Sequence, residues 1–271
     1  MEEAFLSKNE ENIFAEERKR LIVELVNRKI KTTVADLCEE FNVSPATVRN
    51  DLRELEFAGL LKRTHGGAIS NKKTNFDLPY AERLVEHQAE KQAIGKLAAT
   101  MVEPGDKIII DIGTTTRELA MTIAEIPDIT IVTNDLEVAY YLSSHSNAKI
   151  LLTGGFLRNK FNSLFGQMTI DVLQDINADK AFLSAEGVTV EKGATNTDIN
   201  LALVKKEFVK RADEVILLCD SSKFGKSAFV KFADVTEINV IVTDEYADEK
   251  TLAPYRNRGI DIEIARVEEE N

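Results

Sequence analysis

At 271 residues with 44% hydrophobic content, the chain exceeds one average domain and can bury a substantial core. No apolar run approaches the ~20 residues that span a bilayer, and residues 1–17 lack the basic start and apolar core of a secretory signal, so a cytoplasmic protein without a membrane partner is expected. The formal net charge of −12 is unevenly spread: residues 18–73 hold twelve Lys or Arg against seven Asp or Glu, while residues 1–17 carry one Lys and six acidic groups. Affinity for a nucleic-acid backbone depends on local cations, so this balance does not exclude DNA.

An acidic extension, 1–17, leads into a first predicted helix over residues 16–28, with Leu21, Ile22, Leu25 and Val26 on one apolar face. A short second helix over 33–41 turns Val34, Leu37, Cys38 and Phe41 inward, with Thr33 as its cap. Asn42 and Val43 form a tight turn into a third helix. That helix starts at Ser44, a capping residue, with Pro45 at the first helical position where its missing N–H is no loss. Val48, Leu52 and Leu55 recur at i, i+4 and i+7, which leaves Ala46, Arg49, Asn50 and Arg53 on the opposite face. Arginine pairs with guanine edges or phosphates, asparagine pairs with adenine, and a small alanine lets the backbone come close.

A basic face alone would suit a solvated helix equally well. The confined positive charge, the preceding short helix and the segment that follows decide for a helix-turn-helix that places this third helix in the major groove. After Gly59, residues 60–63 read as a short strand and His65, Gly66 and Gly67 as a turn, which makes a wing. Lys62 and Arg63 are expected on phosphates, where they supply register but no sequence information, and His65 on the backbone. Ser44 and Thr47, at the helix start, complete the candidate DNA contacts. Asp51 would be repelled by phosphate and is expected to cap or to pair with an arginine.

The stretches ERKRLIVEL (17–25), VSPATVRNDLREL (43–55) and GLLKRTHGGA (59–68) resemble the N-terminal domain of the DeoR family of bacterial transcriptional regulators. One departure stands in the third helix. The family usually carries Arg-Arg-Asp where this chain has Arg49, Asn50 and Asp51, so a base or phosphate contact should differ from that of relatives.

The winged helix-turn-helix is assigned to 18–70 and a polar linker containing Pro79 to 71–82, followed by a second domain over 83–271. A helix over 87–102 turns Ile94, Leu97, Ala98 and Met101 inward and stops at Pro104 and Gly105. Seven short apolar runs follow, at 107–112, 129–133, 149–153, 180–185, 214–219, 238–243 and 261–264, mostly separated by helix-length segments. Runs so continuous in Ile, Leu and Val belong to strands buried on both faces, which predicts an α/β fold with a mainly parallel open sheet. Cys38 and Cys219 lie in apolar patterns without His neighbours and read as buried thiols; no metal, cofactor or catalytic residue is assigned.

Ligands of such sheets bind beyond the carboxyl ends of the strands. The first run leads through Asp111, Gly113, Thr114, Thr115 and Thr116 into a helix over 116–124, where a glycine, hydroxyls and a helix N-terminus suit a phosphate. The pattern is neither a P-loop nor the dinucleotide fingerprint. The other ends offer Thr133 with Asn134, Gly154 and Gly155 with Arg158 close behind, Glu186, and Asp220 through Lys223. Hydroxyls, amides and a cation together match a phosphorylated polyol.

The segments GDKIIIDIGTTT, IVTND, LLTGG, AFLSAEG, ALVKKEFV and LLCDSSKFG are similar to the effector-binding part of the same family, whose fold resembles ribose-5-phosphate isomerase. The resemblance implies effector contacts at Asp111, Gly113, Thr114, Thr115, Thr133, Asn134, Gly155 and Lys223, with Arg158 and Glu186 beside them. It implies a regulator, commonly a repressor of carbohydrate genes, that binds operator DNA as a dimer or tetramer and responds to a phosphorylated sugar. The competing reading is a sugar-phosphate isomerase with an accessory DNA domain, in which Asp111, Glu186 or Asp220 would be a base beside Lys223.

Overall fold

The computed structural model describes residues 15–29, 31–58, 60–64, 66–70 and 80–268. Most of the acidic extension, Gly59, His65 and positions 71–79 of the expected linker lie outside the described residues. The chain divides into two compact units, Met1–Phe76 and Asp77–Asn271.

The first unit runs α1 (Ala15–Lys29), β1 (Lys31–Thr33), α2 (Val34–Phe41), α3 (Pro45–Phe57), β2 (Leu61–Thr64) and β3 (Gly67–Ser70). Both inner helices begin on side-chain caps. Thr33 and Asp36 form a reciprocal capping box on α2, and the Ser44 hydroxyl accepts the Thr47 N–H ahead of α3. Asn42 turns the chain between them in a left-handed conformation, φ 49°, which asparagine tolerates better than most residues. The apolar stripes then meet: Ile22, Leu25 and Val26 of α1, Leu37 of α2 and Val48, Leu52 and Leu55 of α3 form one buried cluster, closed by Leu61 and Ala68 of the wing. The strands pair antiparallel in the order β1-β3-β2. The three-residue β1 is absent from the sequence reading, because a single Lys-Thr-Thr segment has no periodicity to detect.

Asp51 lies on the inner side of α3, only 3% exposed, and binds Arg18 of α1, with Nε 2.7 Å from Oδ2 and the second guanidinium contact at 3.3 Å. The carboxylate that phosphate would repel is thus consumed inside the unit, locking the first helix against the third.

The second unit runs α4 (Tyr80–Val85), α5 (Gln88–Ala99), β4 (Lys107–Ile110), α6 (Thr114–Thr122), β5 (Thr130–Thr133), α7 (Leu136–His145), β6 (Lys149–Leu152), β7 (Phe156–Arg158), β8 (Ser163–Phe165) and α8 (Gln167–Gln174). It continues β9 (Ala178–Ser184), β10 (Gly187–Thr189), β11 (Gly193–Asn196), α9 (Ile199–Lys210), β12 (Ala212–Leu218), β13 (Val230–Ala233), β14 (Val240–Asp244), α10 (Glu249–Arg256) and β15 (Asp261–Ala265). The helix α4 overlaps the last positions of the expected linker, so the polar stretch ends earlier than its composition implies.

The seven apolar runs become one seven-stranded sheet, β15-β14-β12-β9-β4-β5-β6, parallel throughout. In β4, Ile108 and Ile110 face a core with Ile94, Leu119 and Leu142, whereas Ile109 faces the other side with Phe208, Leu217 and Leu252. Alternate isoleucines therefore serve two cores, which is why the run is continuous. From β4 the chain builds outward through β5 and β6, then returns to lay β9 on the other side of β4 and continues through β12, β14 and β15. The order reverses between β4 and β9, and the crevice opens there. Two smaller antiparallel elements, β10-β11-β13 and the hairpin β7-β8, complete the unit. Their strands are only three or four residues long, too short to carry a periodicity.

Replacing Asp51 by Ala leaves a buried guanidinium without its carboxylate. The N-terminal unit is expected to lose about 3 kcal/mol or more, read as a lower midpoint for its transition in urea denaturation of the full chain while the transition of the second unit stays put.

Candidate functional site

The outer face of α3 is open. Ala46, Arg49, Asn50 and Arg53 are exposed along it, and neither Arg49 nor Arg53 makes a hydrogen bond or ion pair among the described residues. Ser44 and Thr47 are engaged with each other, their hydroxyls 2.9 Å apart, so their first duty is the cap. Asn50 donates its side-chain amide to Glu54 Oε1 at 3.0 Å. On the wing, Lys62 is exposed, while Arg63 is held by Glu56 through its own N–H at 2.9 Å and its Nε at 2.6 Å. An Arg63 contact to phosphate would have to exchange that carboxylate for a phosphate oxygen.

In the second unit a cleft opens at the carboxyl ends of the three central strands. It is lined by Ile112, Gly113, Thr114 and Thr115 after β4, by Ser184, Ala185 and Glu186 after β9, and by Leu218, Cys219, Asp220 and Lys223 after β12. Arg83, Glu86 and Lys91 from α4 and α5, Asn196 from β11, and Leu201 and Lys205 from α9 close it. The helix α6 begins two residues earlier than its sequence pattern suggests, so Thr114, Thr115 and Thr116 are its first turn and Gly113 is its cap. Its first N–H groups and the positive end of its dipole are thereby set at the cleft wall. Gly113 packs so closely on β9 that a Cβ there would stand 2.8 Å from Ser184 Oγ.

Of the expected effector contacts, Gly113, Thr114, Thr115, Glu186 and Lys223 line this cleft; the others are not among its lining residues. Asp111 is fully buried and paired with Lys205. Thr116 donates its hydroxyl to the Gly113 carbonyl at 3.0 Å, Thr133 accepts the Asp135 N–H at 3.0 Å, and Asn134 donates to the Leu164 carbonyl at 3.2 Å. Gly154 accepts the Thr169 hydroxyl at 2.7 Å. Gly155 sits at φ 109°, where a Cβ would collide with Thr169 and the Phe165 carbonyl. Arg158 lies 3.3 Å from the Asp198 carboxylate and stacks over Phe161 at 3.6 Å. Glu186 is itself engaged: it accepts from Asn196 at 3.1 Å and from Thr197 at 3.0 Å. A strand-end position in sequence does not say which neighbouring strand end it meets.

Missed altogether were Lys205, Lys91 and Ser184. Lys205, 1% exposed, pairs with Asp111 and also donates to the Ser184 carbonyl at 2.9 Å. Ser184 gives its N–H to Asp111 at 3.1 Å and its hydroxyl to the Ile112 carbonyl at 2.7 Å. A signal was present: Lys205 falls on the buried stripe of Leu201 and Phe208, and Lys91 heads the stripe of Ile94 and Ala98. A lysine breaking an apolar stripe has to find a partner inside.

The family model described as the DeoR-like helix-turn-helix domain matches residues 18–74, and that of the DeoR C terminal sensor domain matches residues 86–245. The Bacillus subtilis protein named uncharacterized HTH-type transcriptional regulator YulB is 33% identical over 246 residues, covering 91% of this chain and 95% of its own length. The HTH-type transcriptional regulator IolR of the same organism is 35% identical over 230 residues, covering 85% and 91%. The transcriptional repressor AccR of Agrobacterium fabrum is 36% identical over 231 residues, covering 84% and 89%. Among solved structures, ribose 5 phosphate isomerase A from Neisseria gonorrhoeae aligns over 49% of this chain and 52% of its own at 12% identity and a TM-score of 0.37, too slight a likeness to bear on function.

Charge in the cleft is finely set. Burial pulls the Lys91 ammonium down from 10.5 to about 8, against the opposing pull of Asp220. Its hydrogen bonds run to the Arg83 carbonyl and, at 2.5 Å, the Glu86 carbonyl. Burial would raise the Asp220 carboxyl, but Lys223, the Ser222 hydroxyl, His87 and Lys91 outweigh it and hold the group below the usual carboxylate range. Beneath the α6 N-terminus, burial lifts Asp135 to about 7. For Lys91 the unfolded chain keeps a proton that the folded chain has lost between about pH 8 and 10.5, so its contribution to stability rises with pH across that window. The stability of the wild type relative to a Lys91→Met variant should therefore increase from pH 8 to pH 10 in matched urea titrations. A constant difference would show that Lys91 keeps an ordinary ammonium.

Proposed function

This chain belongs to the DeoR family of transcriptional regulators, and from that premise we propose that it is a cytoplasmic repressor of carbohydrate-metabolism genes whose operator affinity is set by a phosphorylated sugar. The observation that carries the effector reading is the cleft at the β4/β9 reversal. There the N-terminal turn of α6, with Thr114 and Thr115 in the wall, shares one cavity with Lys91 and Lys223. A phosphate would take the α6 N–H groups and threonine hydroxyls, where the helix dipole and a lysine favour negative charge. Sugar hydroxyls would then meet Asn196, Glu186 and Asp220, whose Oδ2 is buried 3.6 Å from Lys223 Nζ and has no hydrogen-bond partner among the described residues.

Operator recognition falls to α3 and the wing. Arg49, Asn50 and Arg53, with Ala46 allowing close approach, face the bases and nearby phosphates, and Lys62 and Arg63 hold the backbone. Half-sites read in symmetric pairs call for a dimer or tetramer. An effector acts only by its difference in affinity between the DNA-binding and DNA-releasing states, commonly ~1 to 3 kcal/mol. Of the three candidate bases of the isomerase alternative, Asp111 is fully buried and already paired with Lys205, whereas Glu186 and Asp220 line the cleft but are engaged, Glu186 by Asn196 and the Thr197 N–H and Asp220 by the Ser222 N–H.

A thermal-shift panel of pentose and hexose phosphates should give a dose-dependent rise in melting temperature with at least one member, abolished by Lys223→Ala. A flat response across the panel would remove the phosphosugar assignment. Independently, Arg49→Ala should weaken specific operator binding about tenfold or more in mobility-shift titrations at fixed salt, while the ligand-induced thermal shift is kept. Unchanged operator affinity would take Arg49 out of the interface.

A further inference from the structure

The base preference of the recognition helix is written into one hydrogen bond. Asn50 is exposed on the outer face of α3, and its Nδ2 donates to Glu54 Oε1 at 3.0 Å, one helical turn on. Glu54 is in turn gripped by Lys19 of α1, with Nζ 2.5 Å from Oε2. The hydrogen bond and charge of Lys19 hold the Glu54 carboxyl below its ordinary value, so it is ionised at neutral pH and can only accept. An amide side chain has a donor end and an acceptor end of nearly the same shape, and its neighbours decide which way it points. Facing a carboxylate, Asn50 has one choice: the NH2 end turns to Glu54. Its Oδ1, which has no hydrogen-bond partner among the described residues, and the second amide hydrogen remain for a ligand.

We infer that Asn50 reads an adenine in each operator half-site, and that Glu54 is the positioning residue that makes the choice adenine rather than guanine. The inference rests on the reading of α3 as the groove-facing helix. In the major groove adenine presents an N6 donor beside an N7 acceptor, which matches an amide offering one acceptor and one donor. Guanine presents two acceptors, O6 and N7, and would set its O6 against Oδ1. Cytosine and thymine each satisfy only one end of the amide. An asparagine free to turn over would still favour adenine, but it could offer its second hydrogen to guanine at little cost; the carboxylate removes that option. Lys19 makes the arrangement independent of DNA, because it neutralises Glu54 and fixes its rotamer before any phosphate arrives.

The test uses the full chain and a random duplex library. The enriched operator is then varied one base at a time in competition mobility shifts with wild type, Asn50→Ala and Glu54→Gln. Both substituted side chains are exposed, so the fold is retained. Wild type should prefer adenine over guanine about tenfold or more at one position of each half-site. Asn50→Ala should flatten that position and leave the others intact. Glu54→Gln, which can donate as well as accept and so no longer dictates the amide's direction, should lower the adenine-to-guanine ratio several-fold at the same position only. An enriched operator in which Asn50→Ala alters no position, or alters one where wild type prefers another base, overturns the assignment. A Glu54→Gln ratio equal to wild type overturns the positioning role. Failure of wild type to enrich any sequence would instead overturn operator reading by this unit as a whole.

Discussion

The strand ends that frame the cleft of the second unit are tied together by one buried ion pair. Lys205 and Asp111 meet at the middle of the seven-stranded sheet, neither exposed to water by more than 1%. The pair ties α9 to the end of β4, and both partners also bind Ser184 at the end of β9. Two charges in such a place are held only if both are present and hydrogen-bonded, since loss of either strands the other at a cost of about 3 to 5 kcal/mol. A well-packed apolar pair could match it in stability. What an apolar pair could not do is fix the relative height of two strand ends to within a hydrogen bond, and the position of Gly113 against Ser184, hence the aim of α6, follows from that height.

The first unit repeats the device on a smaller scale. Arg18 and Asp51 sit behind α3 as Lys205 and Asp111 sit behind α6, each a cation from one helix meeting a carboxylate beneath a surface whose own polar groups face outward. The consequence is a division of labour. Among the described residues the side chains of Arg49 and Arg53 make no hydrogen bond or ion pair, and the Lys223 ammonium is paired with the neighbouring Asp220, so these three side chains can vary without endangering the core.

How much of this was legible follows from which signals are local. The seven sheet strands could be read because each needs apolar residues on both faces, and the three N-terminal helices because caps and stripes lie within one turn of each other. That Asp51 would turn from phosphate to cap the helix or pair with a neighbouring arginine was expected on electrostatic grounds, but its partner, Arg18, thirty-three positions earlier, was not identifiable. Nothing local says that β9 returns to the side of β4 opposite β5, so Thr133, Asn134 and Gly155 looked as good as Thr115 or Lys223. Hydroxyls and glycines at a strand end signal either a ligand or a tight join, and only the strand order separates the two. The buried cations left a trace of a different kind, a charge placed on an apolar stripe. Arg18, Lys91 and Lys205 all share it, each in register with two buried apolar residues of its own helix.

The acidic residues of α3 show how affinity and specificity are weighed in a chain of net charge −12. Glu54 and Glu56 lie on the helix proposed to approach phosphate, where by charge alone they would weaken every complex it forms. Yet each holds a neighbour in one geometry, Glu54 the amide of Asn50 and Glu56 the guanidinium of Arg63. Backbone affinity is sequence-blind, and on the proposed reading Lys62, Arg49 and Arg53 would supply it, so some of it could be given up without losing the operator. Discrimination among bases needs side chains that cannot rearrange to suit the wrong edge. Carboxylates that subtract from binding everywhere but forbid one wrong arrangement raise the ratio of right to wrong sites, and that ratio is the quantity a regulator has to maintain against the rest of a genome.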